Sequence, residues 1–259
     1  MVGMETPSIA SETIAHIGSF EIRNTMLMAW MAMLILIAIS LLLRGTGYKQ
    51  IPGRFQAFME LIVEGLFNFF DSILQNPLQT RKLFPLVATI LIFIAVANWI
   101  GILPGVGSIV VTAEEGHHAV PLLRSMNADV NMTLAIAAIS FVCTQFLGLF
   151  MLGLREYSSK FLIPPWRNPL GTFIGILELT AEFTRVISFT FRLFGNIFAG
   201  EVLLIVVGFL VPYIAPVPFL GLEIFVGFIQ ALVFAMLTLV FIKIAMTPHG
   251  DHSSEPAHA

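Results

Sequence analysis

Long apolar segments with almost no charge alternate with short polar segments along the chain. A membrane-spanning helix needs about 20 mostly apolar residues. Five segments are apolar over at least this length: 24–43, 83–104, 130–154, 168–211 and 217–247. Polar segments flank or separate them, notably 1–22, 105–129 and 248–259. The pattern predicts an all-α polytopic membrane protein with about five transmembrane helices, in a single membrane domain over residues 1–259.

The last two apolar segments are too long for upright spans. At 1.5 Å per residue, a helix over 168–211 measures about 66 Å, twice the hydrocarbon core of about 30 Å. Pro169 and Pro212 bound this segment, and no proline interrupts it. Steep tilt and packing against protein accommodate such a length. We therefore expect 168–211 and 217–247 to form a long, steeply tilted helical hairpin with its turn at VPYIAPVP.

Residues 54–76 show a different pattern, in which polar side chains recur every three or four positions. They form one stripe on a helix that is otherwise rich in Phe, Leu, Ile and Val, and they are Gln56, Glu60, Glu64, Asn68 and Asp71. Three carboxylates make a transmembrane position costly, whereas a helix along the membrane surface satisfies both faces. We predict an interfacial amphipathic helix, with an ordinary spanning helix as the alternative.

Lysine and arginine set the predicted orientation, because they are enriched on the cytoplasmic side of membrane proteins. Basic residues cluster between the first two spans and after the third: Arg44, Lys49, Arg54, Arg81, Lys82, Arg155, Lys160 and Arg167. The 105–129 loop carries Glu114, Glu115 and Asp129 with a single arginine. This distribution places the N-terminal segment 1–22 and the 105–129 loop outside, and the C-terminus in the cytoplasm.

Composition supports a membrane protein and excludes several other classes. The chain is 57% hydrophobic and only 11% charged, whereas soluble chains carry about 25% charged residues. Its net charge of −3 gives no basic surface for nucleic acid. Cys143 is the single cysteine, so there is no internal disulfide and no thiolate metal site. No phosphate-binding glycine-rich loop and no metalloprotease motif occur, so we predict neither a cofactor nor catalytic residues.

Six ionisable residues interrupt the two long apolar segments: Glu178, Glu182, Arg185, Arg192, Glu201 and Glu223. A charge at bilayer depth costs at least about 2.5–3.5 kcal/mol, and such groups usually mark ion or proton pathways. Glu178 and Glu182 lie within helical reach of Arg185 and can partly neutralise it.

Arg192 is the charge that lacks a local partner. It shares a helix face with Glu178, Glu182, Arg185 and Asn196, but no acid lies three or four residues away. Its neighbours on that face include Ser188 and Asn196. Arginine remains protonated at every accessible pH, so a charge buried in an apolar helix needs a carboxylate from another helix or another protein. A structural arginine paired within this chain is the alternative.

Glu201 and Glu223 belong to a second group on the predicted hairpin. Nine residues separate Glu201 from Arg192, which places Glu201 on the opposite side of the helix. Glu223 lies on the following helix, with Gln230 on the same face. An antiparallel hairpin brings the two carboxylates together and suits proton exchange, although a neutral hydrogen-bonded pair is an alternative.

Two further polar positions suggest structural roles. Asn127 or Asp129 can cap the third span, or form a polar rim to an entry path. Asn98 can satisfy backbone groups freed near Pro104.

At SFTFRLFGNIFAGE (188–201) the sequence resembles subunit a of F-type ATP synthases, whose penultimate long helix carries an RLFGN signature. The resemblance extends over roughly residues 20–248, through NWIGILPG, ADVNMTLA, NPLGTFIGILEL and IQALVFAMLTLVF. It implies a proton-translocating stator subunit with two half-channels, coupling proton flow to ATP synthesis that takes place in other chains.

The resemblance also implies roles for individual residues. Arg192 corresponds to the arginine that faces the essential carboxylate of the rotating c-ring, and Asn196 and Gln230 to polar residues beside it. Glu201 corresponds to a residue of the outer half-channel, and Glu223 stands where some members carry histidine.

On the cytoplasmic side, Glu178 corresponds to a half-channel carboxylate, with Glu182 beside it, and Arg185 stands where other members often have lysine. Ser188 neighbours the essential arginine. The implied partners are the c-ring, b-type peripheral stalk subunits, the rest of the ATP synthase and membrane lipid, and no nucleic acid. The implied location is the bacterial inner membrane, with a plastid-like source left open.

Two other functions compete with this interpretation. A secondary transporter or ion channel would use the same buried charges for another solute, and it predicts an inverted repeat that the sequence does not show. A non-conducting scaffold leaves the cost of Arg192 unexplained.

Overall fold

The computed structural model describes residues 11–45, 52–107, 109–112, 119–154, 157, 169–212 and 214–247. Six α-helices occupy most of these ranges: α1 (Asn24–Gly45), α2 (Arg54–Leu74), α3 (Pro77–Ile102), α4 (Val130–Leu152), α5 (Pro169–Leu210) and α6 (Pro216–Met246). Five of them, all except α2, are long and apolar enough to cross a membrane. The predicted all-α polytopic membrane fold is confirmed.

Several predictions from sequence fall on residues outside these ranges. They concern the polar tail 248–259, the first part of the N-terminal segment, and the charged positions Lys49, Glu114, Glu115, Arg155, Lys160 and Arg167.

The helix α3 begins six residues before the apolar segment from which it was predicted. Asn76 caps it, because its side chain accepts hydrogen bonds from the backbone amides of Leu78 and Gln79 at 3.2 and 3.3 Å, and Pro77 occupies the first turn. Arg81 and Lys82 are therefore helical, in the first two turns. Helix ends tolerate such charges near the membrane surface, which hydropathy alone does not reveal.

The helix α4 begins where the sequence predicted a cap. The Asp129 side chain accepts a hydrogen bond from the Asn131 amide at 2.8 Å. Its other carboxylate oxygen accepts one from the Thr25 hydroxyl at 3.0 Å. The capping role is confirmed, and the same carboxylate joins α4 to the start of α1.

The helix α2 lies against α3 and α6 near one end of the molecule. Only Phe70 and Leu74 are buried among its residues. The Lys243 ammonium of α6 donates a hydrogen bond to the Ile73 carbonyl at 2.8 Å, which satisfies an acceptor in the last turn of α2. The polar stripe is present on this helix, and its interfacial depth in the membrane stays a prediction.

The last helix, α6, is the central element, packing against α2, α3, α4 and α5. Its large buried side chains include Phe234, Leu239 and Ile242. Phe234 joins Ile94 of α3 and Leu193 of α5 in one apolar cluster. Buried hydroxyls add a polar link to α4, since Ser140 and Thr238 hydrogen bond at 2.8 Å.

The helix α5 has 42 residues and is about 63 Å long at 1.5 Å per residue. It packs against α4, α6 and a short 3₁₀ turn at Met126–Ala128. These described neighbours leave most of its surface uncovered. Of its most apolar stretch of 18 residues, only 11% is buried. The structure thus contains one long helix with a large face directed away from the rest of the chain.

Five short strands, which the sequence did not predict, lie in the N-terminal segment and in the segment between α3 and α4, both predicted to face outside. They are β1 (Thr13–Ile17), β2 (Phe20–Arg23), β3 (Pro104–Gly107), β4 (Val110–Thr112) and β5 (Ala119–Pro121). β1 pairs with β2 and β4 with β5, both antiparallel. Gly18, in the first turn, has a φ of +66°, a conformation that favours glycine. β3, β4 and β5 lie in the part of the chain between α3 and α4.

Gly148 tests the contact between α4 and α6. A methyl group on Gly148 would lie 2.8 Å from a Tyr157 ring carbon and 3.2 Å from the Ala245 carbonyl oxygen. Because backbone has to move, we expect Gly148→Ala to lower the free energy of unfolding by about 1–3 kcal/mol. Gly65→Ala on α2 is the matched control, since nothing lies within 4 Å of its added methyl. Thermal unfolding of both purified variants in detergent measures the difference, and equal midpoints would contradict this packing.

Candidate functional site

The ionisable residues inside the apolar helices fall into three groups along α5. The outer cluster contains Arg124, Glu201 and Glu223. The central site contains Arg192 with Ser188, Asn196 and Gln230. The inner cluster contains Glu178, Glu182, Arg185, Gln145 and Tyr157.

Arg192 lies exposed on the uncovered face of α5. Its Nη2 donates a long hydrogen bond of 3.4 Å to the Ser188 hydroxyl. Within the described part of the chain it forms no ion pair. None of the other described helices covers that face, and the pairing of Arg192 with a carboxylate of another helix or another protein stays a prediction.

Asn196 and Gln230 connect the central site to α6. The Asn196 amide donates to Gln230 Oε1 at 2.8 Å. Gln230 is buried, and its Nε2 has no hydrogen-bond partner among the described residues. A buried amide nitrogen without a partner is costly unless water or another group reaches it. The structure brings these two predicted residues together one turn from Arg192.

The outer cluster contains a residue that the sequence did not single out. The Arg124 side chain is 6% exposed and forms an ion pair with the Glu201 carboxylate. Its Nε lies 3.0 and 3.3 Å from the two carboxylate oxygens, and Nη2 lies 3.2 Å from Oε2. Arg124 is the single basic residue of the 105–129 loop, and this isolation was the one available signal.

Glu223 approaches α5 beside Glu201, as the predicted hairpin requires. Its Oε1 would lie 2.7 Å from a methyl group on Gly200. The two carboxylates are close enough to interact electrostatically. Glu223 Oε2 is buried without a hydrogen-bond partner among the described residues. The pairing of Glu201 and Glu223 is therefore present, with a cation added on the Glu201 side.

Buried amides stabilise the helices next to the outer cluster. The Asn127 amide donates to Asn98 Oδ1 at 2.6 Å, and Asn98 Nδ2 donates to the Gly227 carbonyl at 2.9 Å. Asn98 has a structural role, as predicted, but its partners are α6 and the 3₁₀ turn rather than the backbone near Pro104. The backbone of α6 lies close to α3 here. A methyl group placed on Gly227 would be 3.1 Å from Asn98 Cβ.

The inner cluster surrounds Glu182, which is 5% exposed. Arg185 Nη1 and Gln145 Nε2 each donate to Glu182 Oε2 at 2.8 Å. The Arg185 guanidinium lies over the Phe241 ring, 3.6 Å from its centroid, in a cation–π contact. The predicted neutralisation of Arg185 is present, with Glu182 as the ion-pair partner.

Tyr157 and Gln145 extend the inner cluster towards the end of α4. The Tyr157 hydroxyl donates to Gln145 Oε1. Glu178 contributes to the electrostatic field at Tyr157 together with Glu182. Sequence spacing could not identify Gln145, which lies 37 residues from Glu182. A small cavity of about 10 Å³ beside Arg185 has room for about one water molecule.

Among the described residues, no three His, Cys, Asp or Glu side chains form a group that could hold a metal ion. The chemistry available at these three groups is charge pairing and proton exchange.

Comparison with known proteins identifies the family. Residues 26–243 match the family described as ATP synthase A chain. The chain belongs to this family. ATP synthase subunit a of Geotalea daltonii is 34% identical over 215 residues, which cover 83% of each chain. ATP synthase subunit a of Mycobacterium bovis is 33% identical over 244 residues, which cover 93% of each.

The resemblance inferred from RLFGN and the other motifs is confirmed. Membership of the ATP synthase A chain family makes the chain a component of the proton-translocating membrane sector of an F-type ATP synthase. The matched range contains all six helices in whole or in part and all three charged groups.

Arg185 tests the charge balance of the inner cluster. Arg185→Ala leaves the Glu182 carboxylate buried without its cation, which typically costs about 3–5 kcal/mol. Arg185→Lys retains the charge and is expected to cost less. Arg23→Ala is the control, because Arg23 and Glu21 form an exposed pair at 3.1 Å, worth about 0–1 kcal/mol. Unfolding by titration with denaturing detergent measures all three, and equal losses for Arg185→Ala and Arg23→Ala would contradict the ion pair.

Tyr157 gives a pH signature. Burial raises the pKa of Tyr157 from 10.0 to about 12, and the charges of Glu182 and Glu178 add to this. The folded chain holds this proton between pH 10 and 12 while the unfolded chain releases it, so stability falls as the pH rises through that interval. The wild-type chain and Tyr157→Phe are titrated by ultraviolet absorption, and the difference between the two curves should show a tyrosinate midpoint near pH 12. A midpoint near 10 would place Tyr157 outside the cluster.

Proposed function

We propose that Arg192 stands opposite the ionisable carboxylate of a rotating c-ring, in a stator that gives protons access to the ring through two half-channels. One observation carries this proposal. Arg124 and Arg185 each pair with a carboxylate, whereas Arg192 forms no ion pair in the described part of the chain and lies exposed on an apolar face. Since arginine stays protonated, its counter-charge comes from another subunit.

The face around Arg192 suits the approach of a partner helix. Gly195 and Ala199 follow at helical spacing, and small side chains allow helix backbones to pack closely in membranes. No described atom outside the helix lies within 4 Å of a methyl group placed on Gly195. Ile187 and Phe191 border this face and are 55% and 60% exposed. An apolar helix that carries one carboxylate matches both the surface and its charge.

Protons reach the ring from outside through the outer cluster. Glu223 and Glu201 pass a proton to the ring carboxylate, which becomes neutral and leaves Arg192 to enter lipid. Arg192 cannot give up its own proton, so it separates the two half-channels and prevents a direct leak. One charge that crosses 100 mV releases about 2.3 kcal/mol.

Protons leave on the cytoplasmic side by the inner cluster. After nearly a full turn of the ring, the carboxylate returns to Arg192 and releases its proton near Glu178 and Glu182. The ion pair of Glu182 with Arg185 at 2.8 Å and the cavity beside Arg185 support a polar path here.

The chain itself forms no covalent bond, and ATP chemistry takes place in other subunits of the complex. Its partners are the c-ring, b-type peripheral stalk subunits and membrane lipid. We place it in the bacterial inner membrane, with its N-terminus outside and its C-terminus in the cytoplasm. The bacterial relatives support the location. The basic residues at and between the facing ends of the first two spans, Arg44, Arg54, Arg81 and Lys82, support the orientation.

Replacing the central arginine tests the proposed function. In membranes that hold the whole complex, Arg192→Ala is expected to abolish ATP-driven proton pumping, because the ring carboxylate loses its counter-charge. Arg23→Ala, which removes an exposed arginine on β2, should pump at the wild-type rate. Quenching of a pH-sensitive dye measures pumping, and immunoblots confirm that both variants are assembled.

Passive proton conduction after removal of the soluble catalytic sector provides the second measurement. Lost coupling, with or without a leak, supports the proposed role. Wild-type pumping by Arg192→Ala would refute it.

A further inference from the structure

Among the described residues, the outer cluster combines two carboxylates, Glu201 and Glu223, with one cation, Arg124. Arg124 donates to both oxygens of Glu201, at 3.0 Å for the shortest contact. Glu223 approaches the same region of α5, with Oε1 close to Gly200, and its Oε2 is buried without a hydrogen-bond partner among the described residues. The two acids of the pair therefore stand in different surroundings.

The Arg124–Glu201 geometry favours an ionised Glu201. A guanidinium that donates two or three hydrogen bonds to one carboxylate forms a strong, charge-assisted pair of fixed orientation. Arg124 is 6% exposed, so solvent screens this pair much less than an exposed one. Protonation of Glu201 would weaken these bonds, because it removes the negative charge that faces the buried guanidinium.

Three other described charged groups at this end of the molecule, Asp129, Arg23 and Glu21, have their own partners. Asp129 caps α4 and accepts from Thr25 at 3.0 Å. Arg23 and Glu21 of β2 pair with each other at 3.1 Å. Among the described residues, none of these side chains is bonded to Glu223. A negative charge on Glu223 would thus be added to that of Glu201 without a second cation.

We propose that Arg124 is a positioning residue that holds Glu201 as an oriented anion, so that the exchangeable proton of the outer cluster resides on Glu223. This inference rests on the proposed function and assigns the order of transfer within it. The proton moves from the Glu223 carboxyl to the Glu201 carboxylate and then to the ring. The Glu223 carboxylate left behind is protonated again from the outer aqueous side.

Order matters because an acceptor has to be unprotonated before it can take a proton. If both acids carried protons at rest, Glu201 could not accept one from Glu223, and if both were ionised, Glu223 would have no proton to give. Arg124 sets the order by stabilising the negative charge on Glu201, so that Glu201 is the acceptor and Glu223 the donor. The ion-pair partner of Arg124 among the described residues is Glu201, and the proposed role of Arg124 is exerted through that carboxylate.

Two substitutions of Arg124 test this role in membranes that hold the whole complex. Arg124→Met keeps much of the apolar length and removes the charge, and Arg124→Lys keeps the charge. Passive proton conduction through the membrane sector, after removal of the soluble catalytic part, should fall at least tenfold in Arg124→Met. It should stay within about threefold of wild type in Arg124→Lys. Arg23→Met, at the exposed Arg23–Glu21 pair, is the matched control and should conduct normally.

Infrared spectroscopy gives a readout that a merely structural role would not change. The absorption of protonated carboxyl groups should lose one component in Glu223→Gln and none in Glu201→Gln. In Arg124→Met a new component that depends on Glu201 should appear. If the Arg124→Met chain fails to accumulate, the comparison of Glu223→Gln with Glu201→Gln decides the question, because it leaves Arg124 in place.

Three results would overturn the inference: normal conduction by Arg124→Met, equal losses in Arg124→Met and Arg124→Lys, or loss of the protonated component in Glu201→Gln. Each leaves the role of Arg192 untouched, since pumping by Arg192→Ala tests that separately. Wild-type pumping by Arg192→Ala would instead refute the proposed function while the infrared result could still hold.

Discussion

The architecture depends on one constraint, the cost of an ionised side chain in an apolar medium. At least about 2.5–3.5 kcal/mol per charge at bilayer depth requires each such group to have a partner. Glu182 and Arg185 meet this requirement on one helix, and Glu201 meets it with Arg124 across the fold. Arg192 does not meet it within the described chain. The described chain thus neutralises two of its three arginines in this region by itself, and the proposed function supplies the partner of the third.

Packing around α6 keeps these groups in register. This helix contacts four of the other five, and it presents Glu223 to the outer cluster, Gln230 to the central site and Phe241 to Arg185. A shift of one turn along its axis, about 5.4 Å, would break all three contacts together. Gly200 packs against Glu223 and Gly227 against Asn98, where larger residues would clash. A shift of α6 would bring larger residues into these contacts and is therefore restricted.

Local information determined which parts could be predicted from sequence. Hydropathy located the five long helices, the Asp129 cap followed from its position before an apolar run, and spacing showed that Arg192 lacks a nearby acid. Arg124 was missed because its partner Glu201 lies 77 residues away, beyond any helical periodicity. The early start of α3 was missed because Arg81 and Lys82 suggested a boundary, and the short strands were missed because their pairing depends on the outer turns.

The exposed position of Arg192 also has a consequence for biogenesis. A chain inserted alone places this guanidinium against lipid, where it draws water or headgroups towards it at a cost in free energy. Binding of a partner carboxylate removes that cost, and any ligand that binds only the folded form stabilises it by mass action. Folding and assembly are therefore thermodynamically linked at this residue. With the proposed contact in place, the assembled subunit is more stable than a solitary one, before any proton is transferred.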